Sequence, residues 1–108
     1  MKMFLTVIGL FISTICFSQI QVIQFNANWN NANSVTWLSK LSDCKTGQVD
    51  IVTDKAAQAK YKIIVVPTII VFNQGEEVKR YQANIMMQID AKLEDIQTVV
   101  DETVMESF

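Results

Sequence analysis

The chain has no histidine, and this absence removes the residue that most often binds metal ions or acts as a general base near neutral pH. A glycine-rich phosphate-binding loop is also missing, and no two carboxylates stand at a spacing that predicts a site. The formal net charge of -2 gives no basic surface for nucleic acid or an anionic membrane. We therefore predict no metal, no cofactor and no nucleic-acid partner.

Export is indicated by the first part of the sequence. Lys2 precedes an uncharged apolar run at 3–17, and the run ends with small residues at Cys16 and Ser18. This is the pattern of a secretory signal peptide cleaved after Ser18, and it predicts a secreted or periplasmic protein. The run is shorter than the roughly 20 residues of a membrane span. No stable membrane insertion is therefore expected after cleavage. An uncleaved anchor and lipid attachment at Cys16 are the alternatives.

The remaining composition is that of one globular domain. Of the 108 residues, half are hydrophobic and 19% are charged. The predicted layout is a signal peptide at 1–18, a domain at 19–104 and a short tail at 105–108. Cleavage leaves Cys44 as the only cysteine, so an internal disulfide is excluded.

Hydrophobic periodicity predicts the first half of the domain as strand, helix, strand and helix. Residues 19–26 alternate, with Ile20 and Val22 on one face and Phe25 on the other, which favours a strand. Apolar residues at helical spacing then predict a helix over 34–45, capped by Asn31 or Asn33 and ended by Gly47. Residues 48–53 form a second strand, and Asp54 caps a short helix over 55–61.

The second half reads as a hairpin followed by a helix. A strand starting at Thr68 leads to a turn at 73–75 and a polar edge strand at 76–82. Met86, Ile89, Leu93, Ile96 and Val100 recur at three- and four-residue steps, which predicts an amphipathic helix with Asn84 as its cap. Met86 and Met87 are expected to pack in the core at its start.

The resulting order is β-α-β-α-β-β-α, an α/β domain with a central four-stranded mixed sheet flanked by helices. The two helical crossovers predict parallel pairing of the strands that they join, and the hairpin adds an antiparallel strand. Pro67, the only proline, falls in a strand-like run, where it would remove a ladder donor. A non-local constraint is expected there, and a cis peptide bond is one candidate.

Two motifs in this order resemble the thioredoxin family. The first is F-x-A-x-W, present here as Phe25, Ala27 and Trp29. The second is a segment that ends in proline and threonine, the proline being cis in the family. The matching residues of this second motif are Tyr61, Ile63, Val66, Pro67 and Thr68. The resemblance covers residues 19–104 and implies a minimal thioredoxin-like fold without the family's extra first strand and helix.

The same resemblance implies that the redox site has been lost. The family's C-x-x-C follows the tryptophan, and those four positions are Asn30, Asn31, Ala32 and Asn33 here. The buried carboxylate that precedes the family's phenylalanine is replaced by Gln24. An amide cannot attack a disulfide, because thiol–disulfide exchange requires a thiolate. We predict no catalytic residues, and Asn30 and Asn33 mark the positions of the lost cysteines.

Three functional hypotheses follow. The first is a non-catalytic protein- or peptide-binding module that uses the edge beside Pro67, by the strand addition that the family uses for substrates. Its predicted binding residues are Trp29, Asn30, Asn31, Asn33, Val66 and Pro67. The second is a thiol–disulfide redox protein acting through Cys44. This role is disfavoured because Cys44 lies at the C-terminal end of the predicted helix, where the helix dipole destabilises a thiolate. The third is a structural remnant without a ligand, in which the asparagines only cap a polar loop.

Overall fold

The structure is a computed structural model that describes residues 19–106. The predicted signal peptide at 1–18 and the last two residues of the predicted tail lie outside these residues. The strands are β1 (Ile20–Asn26), β2 (Lys45–Asp50), β3 (Thr68–Asn73) and β4 (Glu76–Gln82). The α-helices are α1 (Lys55–Tyr61) and α2 (Leu93–Glu106), and two 3-10 helices cover Asn28–Asn33 and Leu38–Lys40. Helix α2 runs two residues beyond the predicted domain limit at 104.

The four strands form one mixed sheet, as predicted, and their order in the sheet is β2-β1-β3-β4. Strand β1 pairs parallel with β2 and antiparallel with β3, and β3 pairs antiparallel with β4. The prediction that the second crossover is parallel is wrong. Strand β3 begins beside the end of β1 at which β2 stops, since Asp50 is opposite Asn26 and Thr68 is opposite Phe25.

A hydrophobic core lies on each face of the sheet. Ile20 and Val22 of β1 pack with Ile96 and Val100 of α2. Phe25 points to the opposite face, where the core includes α1 and the segment that leads to β3. The alternation predicted for β1 is thus confirmed, and it explains why this strand is central. Among the described residues, no helix has the length and apolar character needed to cross a membrane.

The helix predicted over 34–45 does not form, and only the 3-10 helix Leu38–Lys40 lies there. Side chains from elsewhere take up its backbone groups instead. Gln24 of β1 bonds to both the N–H and the carbonyl of Val35. Gln97 of α2 does the same for Ser42, at 2.9 and 3.1 Å. Such side-chain to backbone bonds compete directly with helix formation. Gly47 accordingly lies within β2 and caps nothing.

Helix α1 begins as predicted, since the Asp54 carboxylate accepts a hydrogen bond from the Ala57 N–H at 3.0 Å. Its end is held by Arg80 of β4, which donates to the carbonyls of Tyr61 (2.7 Å) and Lys62 (3.1 Å). An ion pair with Glu77 orients Arg80 and lowers the pKa of the Glu77 carboxyl. This contact fixes the start of the segment that leads to Pro67.

The last helix begins later than predicted, at Leu93, and Asn84 is not its cap. The Asp95 carboxylate accepts a hydrogen bond from the Lys92 N–H at 2.8 Å, as the acidic residue of a capping box does. Met86 and Ile89 precede the helix, although they fit its periodicity. Residues 84–92 therefore form a connection with its own structure.

Candidate functional site

Asn26, the last residue of β1, organises the loop that follows it. Its side chain is buried, and its amide nitrogen donates to the Asn30 carbonyl (3.1 Å) and to the Ser34 hydroxyl (2.7 Å). Its oxygen accepts from the Ala27 N–H (2.9 Å) and from the Asn30 amide (3.1 Å). Both N–H donors and both acceptor sites of this side-chain amide are thus used in hydrogen bonds within the loop.

Asn30 and Asn33, the positions of the lost cysteines, belong to the same network. Asn30 is 6% exposed, and its amide reaches the Val66 carbonyl at 3.4 Å. The Asn33 amide donates to the Asn30 oxygen at 2.8 Å. No buried side-chain nitrogen or oxygen in residues 19–106 lacks a partner. The asparagines at these positions therefore hold the loop against the segment before β3.

Gln24 occupies the position of the family's buried carboxylate and is fully buried. Its oxygen accepts from the Val35 N–H (2.9 Å), and its nitrogen donates to the Val35 carbonyl (3.3 Å). At neutral pH an amide supplies this acceptor and this donor without a charge, whereas an ionised carboxylate can only accept. Gln24 is therefore a clamp between β1 and the following loop.

An apolar groove opens beside this network, with a volume of about 420 Å³. Its lining includes Trp29, Ile51, the segment 63–66, Ile85 and Met87, and none of its ten residues is charged. Trp29 is 66% exposed and Ile64 is 82% exposed. Exposed apolar surface that is gathered at one place marks an interaction site more often than scattered apolar residues do.

One wall of the groove is built by a short loop after β4. Asn84 closes it: its N–H donates to the Gln88 carbonyl (2.9 Å), and its side-chain oxygen accepts from the N–H groups of Met86 (2.8 Å) and Gln88 (3.2 Å). Three consecutive large apolar residues, Ile85, Met86 and Met87, are exposed on this loop. We call these three residues the ridge.

The segment along the groove also offers free backbone donors. Within residues 19–106, no group pairs with the N–H of Ile64, Val65 or Val66. The Val66–Pro67 peptide bond at its end is cis. Unpaired N–H groups beside an apolar groove are the features by which an extended peptide is bound as an added strand.

The predicted binding residues divide into two groups in the structure. Trp29 and Val66 both line the groove. Asn31 lines a different cavity of about 230 Å³ with residues of β2. Asn33 is absent from the groove lining, and Pro67 is buried beneath the surface. The groove therefore extends away from the asparagines, toward the ridge.

Sequence reasoning missed Ile64 and the ridge as parts of this surface. Ile64 stands in an apolar run in which nothing separates exposed from buried positions. Met86 and Met87 were expected to pack in the core at the start of the last helix, and this prediction is wrong because both are exposed on a loop that precedes the helix. The one local signal is Asn84, because an asparagine after a strand favours a turn closed by its own side chain.

Cys44 immediately precedes β2 and is half-buried against the core. The helix that was expected to end near it is absent, so the helix-dipole argument against its reactivity fails. Burial of the thiol, assisted by the carboxylates of Asp43 and Asp101, instead raises its pKa to about 11. This environment disfavours the thiolate that redox chemistry needs.

We predict slow alkylation of Cys44 by iodoacetamide in the folded protein. At pH 8 a pKa of about 11 lowers the thiolate fraction about a hundredfold relative to the ordinary value of 9.0. A more basic thiolate is more nucleophilic and recovers part of this loss, which leaves the rate roughly tenfold lower. The same chain unfolded in urea is the control. Equal alkylation rates in the folded protein and in urea, with the pH dependence of both rates centred near pH 9, would contradict the prediction.

Comparison with solved structures finds the same fold in several thioredoxins. A mutant thioredoxin from Halobacterium salinarum NRC-1 is 19% identical, with a TM-score of 0.60, over 79% of this chain and 74% of that one. Fasciola hepatica thioredoxin is 22% identical, with a TM-score of 0.58, over 88% and 89% of the two chains. Schistosoma mansoni thioredoxin is 20% identical, with a TM-score of 0.58, over 90% and 86%. No protein-family model matches the sequence, and the search of curated proteins found no relative.

The protein thus has a thioredoxin-like fold without a C-x-x-C pair. The two positions that would hold the cysteines carry Asn30 and Asn33, and both are engaged in hydrogen bonds within the loop.

Proposed function

We propose that this protein is a non-catalytic binding module that takes an extended protein or peptide segment into the groove. The observation that carries the proposal is the uncharged groove with the free N–H groups of 64–66 along it. Strand pairing to those of these N–H groups that share one side of the segment would supply affinity, and apolar side chains entering beside Trp29 would supply specificity. Asn30 would act indirectly, because it fixes the Val66 carbonyl.

A redox role through Cys44 receives no support from its surroundings, which disfavour a thiolate. The hydrogen-bonded asparagine network alone would suit a structural remnant. The exposed ridge and the exposed Trp29 favour a binding role instead, because a remnant gains nothing from keeping large apolar side chains in water.

The binding proposal predicts that a blocked seven-residue peptide of alternating valine and threonine perturbs the amide resonances of 64–66 and the Trp29 indole. We expect Ile64→Asp to weaken its binding about tenfold or more, since a charge would enter an apolar contact. Val78→Asp is the matched control, because Val78 is exposed on β4 and does not line the groove. Perturbations confined to α2 would overturn the proposal.

We further propose export, with cleavage after Ser18, to the periplasm or the exterior. Support comes from the apolar run at 3–17, which follows Lys2 and ends next to small residues. The exported protein is expected to begin at Gln19 by N-terminal sequencing. Recovery of the chain only from membranes, with Met1 retained, would contradict this.

A further inference from the structure

The wall of the groove contains one side chain that an oxidant converts from apolar to polar. Met87 lines the groove together with Trp29, and it is 42% exposed. We propose that Met87 is an oxidation site that controls the groove, so that the thioether form binds the extended segment and the sulfoxide form releases it. This inference rests on the proposed function and adds a regulation to it.

The methionines within 19–106 are placed where a small oxidant in water reaches them. Methionine is among the residues most often buried, and it ordinarily fills gaps in a core. Here Met86, Met87 and Met105 are 68%, 42% and 72% exposed, and none of the three packs in either hydrophobic core of the described chain. Their oxidation therefore disturbs no core packing, and its effect is confined to the surface.

The loop positions Met87 at the groove through its backbone. The Met87 N–H donates to the Asn84 carbonyl at 2.9 Å, and its φ is 61°, in the left-handed region that residues other than glycine seldom adopt. The thioether takes part in neither feature. A sulfoxide at this position therefore leaves the turn intact and changes the surface that a bound segment meets.

Hydrogen peroxide is the oxidant of the proposed step, and the step balances without a further reactant. The sulfur lone pair attacks one peroxide oxygen, so that an S–O bond forms while the O–O bond breaks. The proton of the attacked oxygen moves to the leaving oxygen, which departs as water, and the sulfur has given up two electrons. The product is methionine sulfoxide, a polar group that reductases convert back to the thioether. The modification is therefore reversible, as a control site requires.

The lining of the groove makes a sulfoxide unfavourable once a segment is bound. Docking would remove the new oxygen from water, and a polar group buried without a hydrogen bond is destabilising. The two side-chain amides of the lining are already engaged, since Gln58 donates to the Ile63 carbonyl and Asn84 donates to the Asp90 carboxylate. A sulfoxide that instead accepted from the free N–H groups of 64–66 would compete with the segment for them.

The one thiol of the described residues is protected by comparison. Cys44 is half-buried, and burial raises its pKa to about 11, so at neutral pH little of the thiolate that reacts with peroxide is present. A thioether has no proton to lose, and its oxidation does not depend on ionisation. We therefore expect the methionines, and not Cys44, to carry the response to peroxide.

Binding of the blocked valine–threonine peptide before and after peroxide treatment tests the proposal. Mass spectrometry of the digested protein identifies the methionines that have gained an oxygen, and thermal unfolding checks that the fold is retained. We expect oxidation to raise the dissociation constant of the wild type about tenfold or more, because a polar oxygen is buried in an apolar contact. Treatment with methionine sulfoxide reductases should restore the original value.

Substitutions assign the effect to one methionine. The ratio of the dissociation constants after and before treatment should be near one for Met87→Leu, whatever the affinity of that variant. Met87→Gln places a permanent polar group there, and without treatment it should bind as weakly as the oxidised wild type. Met86→Leu and Met105→Leu are the controls, because neither residue lines the groove, and both variants should remain as sensitive as the wild type.

The outcomes separate this inference from the proposed function. Untreated wild type that does not bind the peptide overturns both. A protein that carries the Met87 sulfoxide and binds as tightly as before overturns the control site and retains the binding module. The inference is also overturned if Met87→Leu is as sensitive as the wild type, if untreated Met87→Gln binds as tightly as the wild type, or if Met87 stays unmodified while Met86 and Met105 are oxidised.

Discussion

Replacing Gln24 by glutamate is expected to lower the free energy of unfolding by about 3–5 kcal/mol at pH 7.5, the cost of leaving an unpaired charge buried. The carboxylate would still accept from the Val35 N–H, but its second oxygen would face the Val35 carbonyl. In residues 19–106 the one ion pair is between Arg80 and Glu77, so no cation is arranged to compensate. The substitution restores the kind of side chain that the thioredoxin family has here, in a site that no longer accommodates it.

The loss should depend on pH in a defined direction. Burial raises the pKa of the introduced carboxyl above its unfolded value of about 4.3. Between these two values the native state binds more protons than the unfolded state, so stability falls as pH rises. Below the unfolded pKa the acid is protonated and can donate to the Val35 carbonyl, and the loss should largely disappear.

Urea unfolding between pH 4 and 8 measures this effect, with the wild-type curve subtracted. Gln21→Glu is the matched control, because Gln21 is exposed on the same strand. We expect it to change stability by no more than about 0.5 kcal/mol at any pH. A Gln24→Glu variant that is as stable as the control at pH 7.5 would show that the carboxylate reaches water. The site of Gln24 would then not exclude solvent, contrary to our interpretation.

The parts of the fold that followed from the sequence are those set by local rules. Alternation placed Ile20 and Val22 on one face of β1 and Phe25 on the other. Asp54 capped its helix, and Thr68 began its strand, as expected from their positions in the sequence. In each case the determining residues lie within a few positions of the feature that they determine.

The predictions of the fold that were wrong concern features that depend on residues distant in sequence. The helix over 34–45 was lost to Gln24 and Gln97, and Gln97 lies 55 positions from the backbone groups that it binds. A local pattern contains no information about such partners. The antiparallel direction of β3 depends on the end of the sheet to which the connection 51–67 leads the chain, and no local pattern specifies that end.

The candidate site shows the same division. Resemblance located Trp29 and Val66, and both line the groove. The opposite wall, made by Ile85 and Met87, was not assigned because Met86, which lies between them in sequence, fits the period of the helix, and the helix was therefore predicted to begin before Leu93. The division has a physical basis, since a side chain on a loop is exposed or buried according to where the loop packs, which periodicity alone does not specify.

Replacing Asn26 by aspartate is expected to lower the free energy of unfolding by about 2–4 kcal/mol, because two hydrogen-bond donors are lost in a buried site. The new oxygen would face the Asn30 carbonyl at 3.1 Å and the Ser34 hydroxyl at 2.7 Å. The hydroxyl can rotate to donate, but the carbonyl cannot. The change is isosteric, so cavity formation does not contribute, and the loss combines the two missing donors with the burial of a carboxylate.

Urea unfolding at pH 7.5 measures the loss, with Asn28→Asp as the control. Asn28 is exposed in the same loop, and no side-chain hydrogen bond of Asn28 was found in the described part of the chain. Asn26→Asp should also speed hydrogen exchange at Asn30, whose N–H bonds to the Ala27 carbonyl at 2.8 Å. Equal losses from both substitutions would mean that negative charge, and not the network, is responsible. A loss confined to Asn26 would show that the hydrogen bonds of Asn26, two of which go to Asn30, hold the loop beside the groove.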